Sequence, residues 1–73
     1  MTPEYLKEAL PSLLNADFAG ATNVRLLWLA RAYVALCGLA TFDSPAGEFG
    51  TRRIWLQRID TLFGVLRERC RRE

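Results

Sequence analysis

The stretch LLWLARAYVALCGLATF, residues 26–42, is almost continuously apolar and contains a single charge, Arg31. A helix that is apolar on every side is either buried on every side or lies in a membrane. The chain has only 73 residues, and a chain of this size buries about 60% of the surface that its unfolded form exposes. Three surroundings are therefore open to the segment: a bilayer, the core of one chain, or the surface of another polypeptide.

A membrane span is the least favoured of the three surroundings. At 1.5 Å per residue the segment reaches about 26 Å, whereas the hydrocarbon core of a bilayer is about 30 Å thick. Arg31 near its centre would cost about 2.5–3.5 kcal/mol on insertion, and each leucine returns only about 0.3–0.6 kcal/mol. We therefore expect no association with a membrane.

Burial inside one chain is the second alternative. Two further helices can cover two sides of the segment. The side that carries Arg31 would then need a buried carboxylate as its ion-pair partner, because an unpaired buried charge is strongly destabilising. The candidate carboxylates are Asp17, Asp60 and Glu8.

A second polypeptide covers the same side with less difficulty. Ala32, Ala35 and Gly38 are small enough to let another backbone approach closely, and Trp, Tyr and Arg side chains dominate the energetics of protein interfaces. In a homodimer, Arg31 can stay at the rim or pair across a two-fold axis with an acid of the other copy. We predict a homodimer, and a different protein in place of the second copy is left open. The predicted interface residues are Leu27, Trp28, Arg31, Val34, Ala35 and Gly38.

The rest of the sequence predicts two further helices and no strands. Apolar residues recur at helical spacing, with helices expected at about 3–16, 22–41 and 51–71 of a single domain, residues 1–73. Pro11 removes a backbone donor and disfavours helix at Leu10, which predicts a kink or two short helices there. The predicted class is all-α. A hairpin of the second and third helices is crossed by a kinked N-terminal helix, and two copies pair into a four-helix-like bundle.

The third helix carries two apolar surfaces in helical projection. The wider one is an arc of about 120°, typical of a helix that packs on one side. It consists of Trp55, Leu56, Ile59, Leu62, Phe63, Leu66 and Cys70. Ile54 and Val65 lie outside this arc among polar and basic side chains, a mixture that suits an acidic, partly apolar site on another protein. Two isolated surface aliphatic residues are the alternative interpretation. The predicted partner-binding residues are Ile54, Arg58, Thr61, Val65, Arg69 and Arg72.

The chain has few groups that could catalyse a reaction. It contains no histidine, the usual acid–base residue at neutral pH, and Ser12 and Ser44 both lie beside proline. Cys37 and Cys70 are too few for a secreted disulfide scaffold or a zinc site. The N-terminus, MTPEYLKEAL, lacks the pattern of a secretory signal. We expect no enzymatic activity, no cofactor and no metal, and a cytoplasmic location.

The expected function is that of a small protein-binding regulator or inhibitor, a homodimer that occludes a surface of a target protein. In size, composition and helical character, the chain is similar to the small helical proteins with which phages and mobile elements disable host transcription regulators or ATPases. This similarity implies action in a host cytoplasm. One alternative is a nucleic-acid-binding dimer that uses the Arg-rich third helix, although its basic residues are scattered around the helix and alternate with acids. Another is a small subunit or assembly chaperone of a larger complex.

Overall fold

Three helices account for most of the fold. The computed structural model describes residues 3–44 and 47–72. Its helices are α1 (Pro3–Leu14), α2 (Asn23–Leu39) and α3 (Arg52–Arg72), so α1 and α2 end two residues before their predicted limits. The described residues contain no strand, and two of them, Thr41 and Thr51, form an isolated parallel bridge. The predicted all-α class is confirmed.

The limits of α2 are set by the residues that flank it. Thr22 is the N-cap, and its hydroxyl accepts a hydrogen bond from the Arg25 N–H at 3.1 Å. This bond satisfies one of the amide groups that the first turn of a helix leaves without a partner. At the other end, Ala40 is extended while its N–H still donates to the Leu36 carbonyl. The chain then reaches α3 through Gly50, whose φ of +73° favours glycine.

Helix α1 runs through Pro11 as one element. The predicted alternative of two short helices at this position is therefore wrong. Asn15 closes the C-terminal end of α1, because its backbone N–H and its side-chain amide both donate to the Pro11 carbonyl, at 3.2 and 2.9 Å. These bonds satisfy a carbonyl that the last turn would leave unpaired.

Helices α2 and α3 form the predicted antiparallel hairpin. Arg52 at the start of α3 donates from Nε to the Cys37 carbonyl near the end of α2, at 2.7 Å. Arg69 near the end of α3 donates to the Asn23 side chain at the start of α2, also at 2.7 Å. These two hydrogen bonds join opposite ends of the two helices and therefore hold α3 antiparallel to α2.

Tyr33 of α2 lies at the centre of the core. Its ring stacks on Trp55 with the ring centroids 5.8 Å apart, and Phe18 meets it edge-on at 6.0 Å. Its hydroxyl donates to the Leu13 carbonyl of α1 at 2.5 Å, and the Trp55 indole N–H donates to the Phe49 carbonyl at 2.7 Å. Tyr33 therefore ties all three helices together. The buried apolar residues are Leu6, Leu13, Phe18, Leu26, Leu29, Ala30, Ala32, Tyr33, Leu36, Ala40, Trp55 and Leu62.

The buried face of α3 differs from the predicted stripe. Four stripe residues are buried or pack against the core: Trp55, Ile59, Leu62 and Leu66. The other three are exposed: Leu56, Phe63 and Cys70. The prediction that Val65 lies off the buried face is wrong, because Val65 packs against the core. In projection, the buried arc is rotated by about 60° from the predicted one. The rotation arises because Arg58 and Arg69, which count as polar in the projection, lie on the inner side of α3.

Candidate protein interface

One side of α2 points away from the core and is apolar. We call it the outer face of α2 and define it by Val24, Leu27, Arg31, Val34 and Gly38. The side chains of Val24, Leu27 and Val34 are 79%, 62% and 60% exposed. On the opposite side of the helix, Leu29 and Leu36 are buried. Helices α1 and α3 therefore cover one side of α2 and leave an apolar side in contact with solvent.

Arg31 lies in the middle of the outer face with an exposed side chain. No carboxylate in the described part of the chain forms an ion pair with it. The alternative in which Arg31 is buried in one chain beside Asp17, Asp60 or Glu8 is therefore wrong.

Two shallow hollows on the surface of α2 share Arg31 as a wall. The first, of about 350 Å³, is lined by Ala30, Arg31, Val34 and Ala35. The second, of about 390 Å³, is lined by Val24, Leu27, Trp28 and Arg31. Both hollows are formed by α2 alone, so neither is a closed binding cavity. They are grooves between the side chains of one helix. When two helices pack, the side chains of one fit into grooves of this kind on the other.

The six predicted interface residues lie on one continuous side of α2. Four are exposed on the outer face: Leu27, Arg31, Val34 and Gly38. Trp28 is half-buried at its border, where its ring meets Tyr5 of α1 edge-on with the centroids 6.1 Å apart. The Arg25 guanidinium lies 4.6 Å from the Trp28 ring centroid. Ala35 is half-buried and packs against the core. A role for these residues in a dimer stays a prediction.

Two apolar residues on one edge of α3 are exposed. Leu56 and Phe63, which we call the α3 edge, are 50% and 46% exposed. They project from α3 on the same side as Arg52, which bonds to the Cys37 carbonyl of α2. Phe42, 65% exposed, lines a cleft together with Leu56 and Arg52. The described chain therefore exposes apolar side chains on α3 as well as on α2.

Two predicted partner-binding residues bind the backbone of this chain. Arg58 donates from Nη2 to the Ala16 carbonyl at 2.9 Å. Arg58 also lies 4.4 Å from the Phe18 ring centroid, and its buried Nε has no hydrogen-bond partner in the described chain. The acceptors of Arg69 include the Ala19 and Ala21 carbonyls, at 3.1 and 2.6 Å, and the Asn23 side chain, at 2.7 Å. Both guanidinium groups therefore hold the connection between α1 and α2 against α3.

The other four predicted partner-binding residues have different surroundings. Val65 packs against the core, and the Thr61 hydroxyl donates to the Gln57 carbonyl at 3.0 Å. Arg72 lies 3.8 Å from Glu68 in an exposed ion pair. Ile54 is 41% exposed. It lines a groove of about 130 Å³ with Leu10, Leu14, Glu48, Phe49, Gly50 and Trp55. The structure therefore does not join the six residues into one surface: Ile54 lines this groove, whereas Val65, Arg69 and Arg72 line a separate hollow of about 210 Å³ with Ala19 and Glu68.

Most basic side chains already have a partner within the chain. Arg52, Arg58 and Arg69 donate to backbone carbonyls. Exposed ion pairs join Lys7 to Glu48, Arg53 to Asp43, and both Arg71 and Arg72 to Glu68. Exposed pairs contribute little to stability, but they reduce the positive charge that a polyanion would meet. The described residues therefore do not present a continuous basic stripe.

The polar chemistry of the described residues is limited. Burial raises the pKa of the Cys37 thiol above its ordinary value, against the opposing effect of the Arg52 charge, so the thiol stays protonated at neutral pH. No group of three Asp, Glu or Cys side chains in residues 3–44 and 47–72 could hold a metal ion. None of the helices in this part of the chain is both long and apolar enough to cross a membrane.

Comparison of the chain with known protein families, curated proteins and solved structures finds no match. The interpretation of the surface therefore depends on the residues themselves. Val24 is not among the predicted interface residues, although it lies three residues before Leu27 and seven before Arg31. That spacing was the signal that could have identified it. The α3 edge was missed because Leu56 and Phe63 were assigned to the core.

Proposed function

We propose that the protein is a non-enzymatic binding protein that works as a homodimer in the cytoplasm and occludes a surface of another protein. The observation that carries the proposal is the outer face of α2, where Val24, Leu27 and Val34 stay 60–79% exposed in the single chain. Contiguous exposed apolar surface of this kind marks sites of protein association. A second copy is the occupant that the chain itself supplies.

The size of this surface sets the expected strength of pairing. Burying a Val or Leu side chain fully is worth about 1.5–3 kcal/mol. The exposed apolar side chains of two outer faces are therefore worth on the order of 10 kcal/mol, which is similar to the 4–15 kcal/mol that association costs. Because the gain and the cost are similar, we expect a weak dimer whose population depends on concentration.

The target of the dimer is proposed to bind at the groove around Ile54. This groove is lined by α1, the segment before α3 and α3 itself, so it lies away from the outer face of α2. Its walls are mostly apolar, with Leu10, Leu14 and Phe49 beside Ile54 and a single carboxylate, Glu48. The pairing of the basic side chains with carbonyls and acids favours a protein target over a nucleic acid.

A photo-reactive amino acid tests both halves of the proposal in cells. Placed at Leu27, it is expected to give an adduct of two copies of this chain. Placed at Ile54, it is expected to give an adduct with a different protein. Gln57, exposed on α3 between the two surfaces, is the control position and is expected to give neither adduct. The same adducts from all three positions would contradict the proposal, and a nuclease-sensitive adduct at Ile54 would indicate nucleic acid instead.

A further inference from the structure

Arg31 restricts how two copies of α2 can pair, if the proposed dimer forms. Arg31 occupies the midpoint of α2, Asn23–Leu39. In a parallel two-fold pair, every residue of α2 lies beside its own copy. In an antiparallel pair centred on Arg31, the two guanidinium groups again meet. Like charges in contact at an apolar interface are strongly unfavourable, so neither arrangement suits this face.

An antiparallel pair must therefore be centred on one side of Arg31. A shift toward the N-terminus would bring Arg31 near the first turn of the other α2, where the helix dipole is positive and where Arg25 lies. It would also leave Val34 and Gly38 uncovered, whereas the opposite shift leaves Val24 beyond the end of the other α2. A shift toward the C-terminus brings Arg31 to the last turn of the other α2, where the dipole is negative. Arg52 donates there to the Cys37 and Ala40 carbonyls on the side that faces α3, and Gly38 lies on the outer side of the same turn.

Gly38 provides the space for Arg31 in this second arrangement. It lies two turns after Arg31 on the outer face, and a Cβ built on it would have no atom within 4 Å. A long side chain of one copy can therefore lie across the bare backbone of the other. The same register brings Leu27 to the level of Phe42, which is exposed just beyond the end of α2.

We infer that two copies of this chain pair antiparallel through the outer face of α2, with Arg31 of each copy against Gly38 and the C-terminal turn of the other. The two-fold axis then crosses the pair at the level between Val34 and Ala35. This register rests on the proposed homodimer. Two kinds of complementarity support this register. The cationic Arg31 meets the negative end of a helix, and its long side chain meets Gly38, the smallest residue of the outer face.

Disulfide trapping measures the register directly. The background variant is Cys37→Ala together with Cys70→Ser, which removes both native thiols. A disulfide needs Cα atoms about 4.4–6.8 Å apart. In the inferred register the two Val34 residues are offset by about one residue along the helices, about 1.5 Å, and the two Leu27 residues by about 15 residues, or 22 Å. Val34→Cys is therefore expected to form a covalent dimer on mild oxidation, and Leu27→Cys is not, and both variants keep Arg31.

A pair of glycine substitutions tests the same contact without cysteine. Gly38→Leu fills the space that Arg31 of the other copy would occupy, and we expect it to weaken dimerisation at least tenfold while the chain stays folded. Gly64→Leu is the matched control, because Gly64 is also an exposed helical glycine with no atom within 4 Å of a built Cβ. It lies on α3 opposite the core, and its dimerisation is expected to match that of the unsubstituted chain.

The outcomes separate the register from the dimer itself. Three results would overturn the register and leave the homodimer standing: a covalent dimer through Leu27→Cys, no covalent dimer through Val34→Cys, or equal dimerisation of Gly38→Leu and Gly64→Leu. An unsubstituted chain that stays monomeric would overturn the homodimer and the register together.

Discussion

At the scale of single residues, Tyr33 links the three helices. Its hydroxyl donates to the Leu13 carbonyl, and its ring lies between Trp55 and Phe18. Burial raises the pKa of Tyr33 above 10.0, and the hydrogen bond and positive charge of Arg58 oppose that rise. Tyr33 therefore stays neutral in the folded chain at any pH at which the chain is expected to work.

Tyr33→Phe should lower the free energy of unfolding by about 1–2 kcal/mol at neutral pH, because the buried Leu13 carbonyl loses its donor. The difference between the two proteins should narrow as the pH rises above 10. Tyr33 loses its proton more readily in the unfolded state than in the folded state, so the stability associated with it is present below pH 10 and is lost at higher pH. Urea unfolding at several pH values measures both effects.

The control for this experiment is internal. The raised pKa of Cys37 also lowers stability at alkaline pH, but it acts equally in both proteins and cancels in the difference. If the difference in the free energy of unfolding between Tyr33→Phe and the unsubstituted chain stays constant from neutral pH to above pH 10, the assigned environment of Tyr33 is wrong.

At the scale of elements, the existence of the helices followed from the sequence more readily than their faces did. Helical spacing is sufficient to predict α2 and its start at about residue 22. The buried face of α3 was misassigned because a helical projection treats arginine as polar. Arg58 and Arg69 instead lie along the inner side, where their long apolar stems pack and their guanidinium groups reach carbonyls of another segment. A carbonyl acceptor supplied by a distant connection has no signature in sequence spacing.

Arg69→Met tests this role of the inner arginines. It keeps the apolar stem but removes the donors to Ala19, Ala21 and Asn23, so we expect a loss of about 2–3 kcal/mol in the free energy of unfolding. Arg67→Met changes an exposed residue of the same helix and should stay within about 0.5 kcal/mol of the unsubstituted chain. Chemical denaturation of the three proteins gives the comparison. Equal stability of the two variants would show that Arg69 does not hold the connection.

At the scale of the whole molecule, α1 and α3 together cannot cover all the apolar surface of α2. This shortfall is predictable from the sequence, because a single helix that is apolar on every side needs more neighbours than this chain provides. The side of α2 that stays exposed, including Leu27 and Arg31, is predictable as well. The exposure of Leu56 and Phe63 is not, because it depends on the rotation of α3 against α2.

Sedimentation of the unsubstituted chain over a hundredfold range of concentration, in reducing buffer without detergent, measures whether two copies pair. We predict that the average mass rises from that of one chain toward twice that value as the concentration increases. Leu27→Glu should stay monomeric and folded throughout, because it introduces a charge into the exposed apolar outer face of α2. Leu14→Glu, an equally apolar exposed position on α1, should still dimerise. A folded chain that remains a monomer at every concentration would contradict the account.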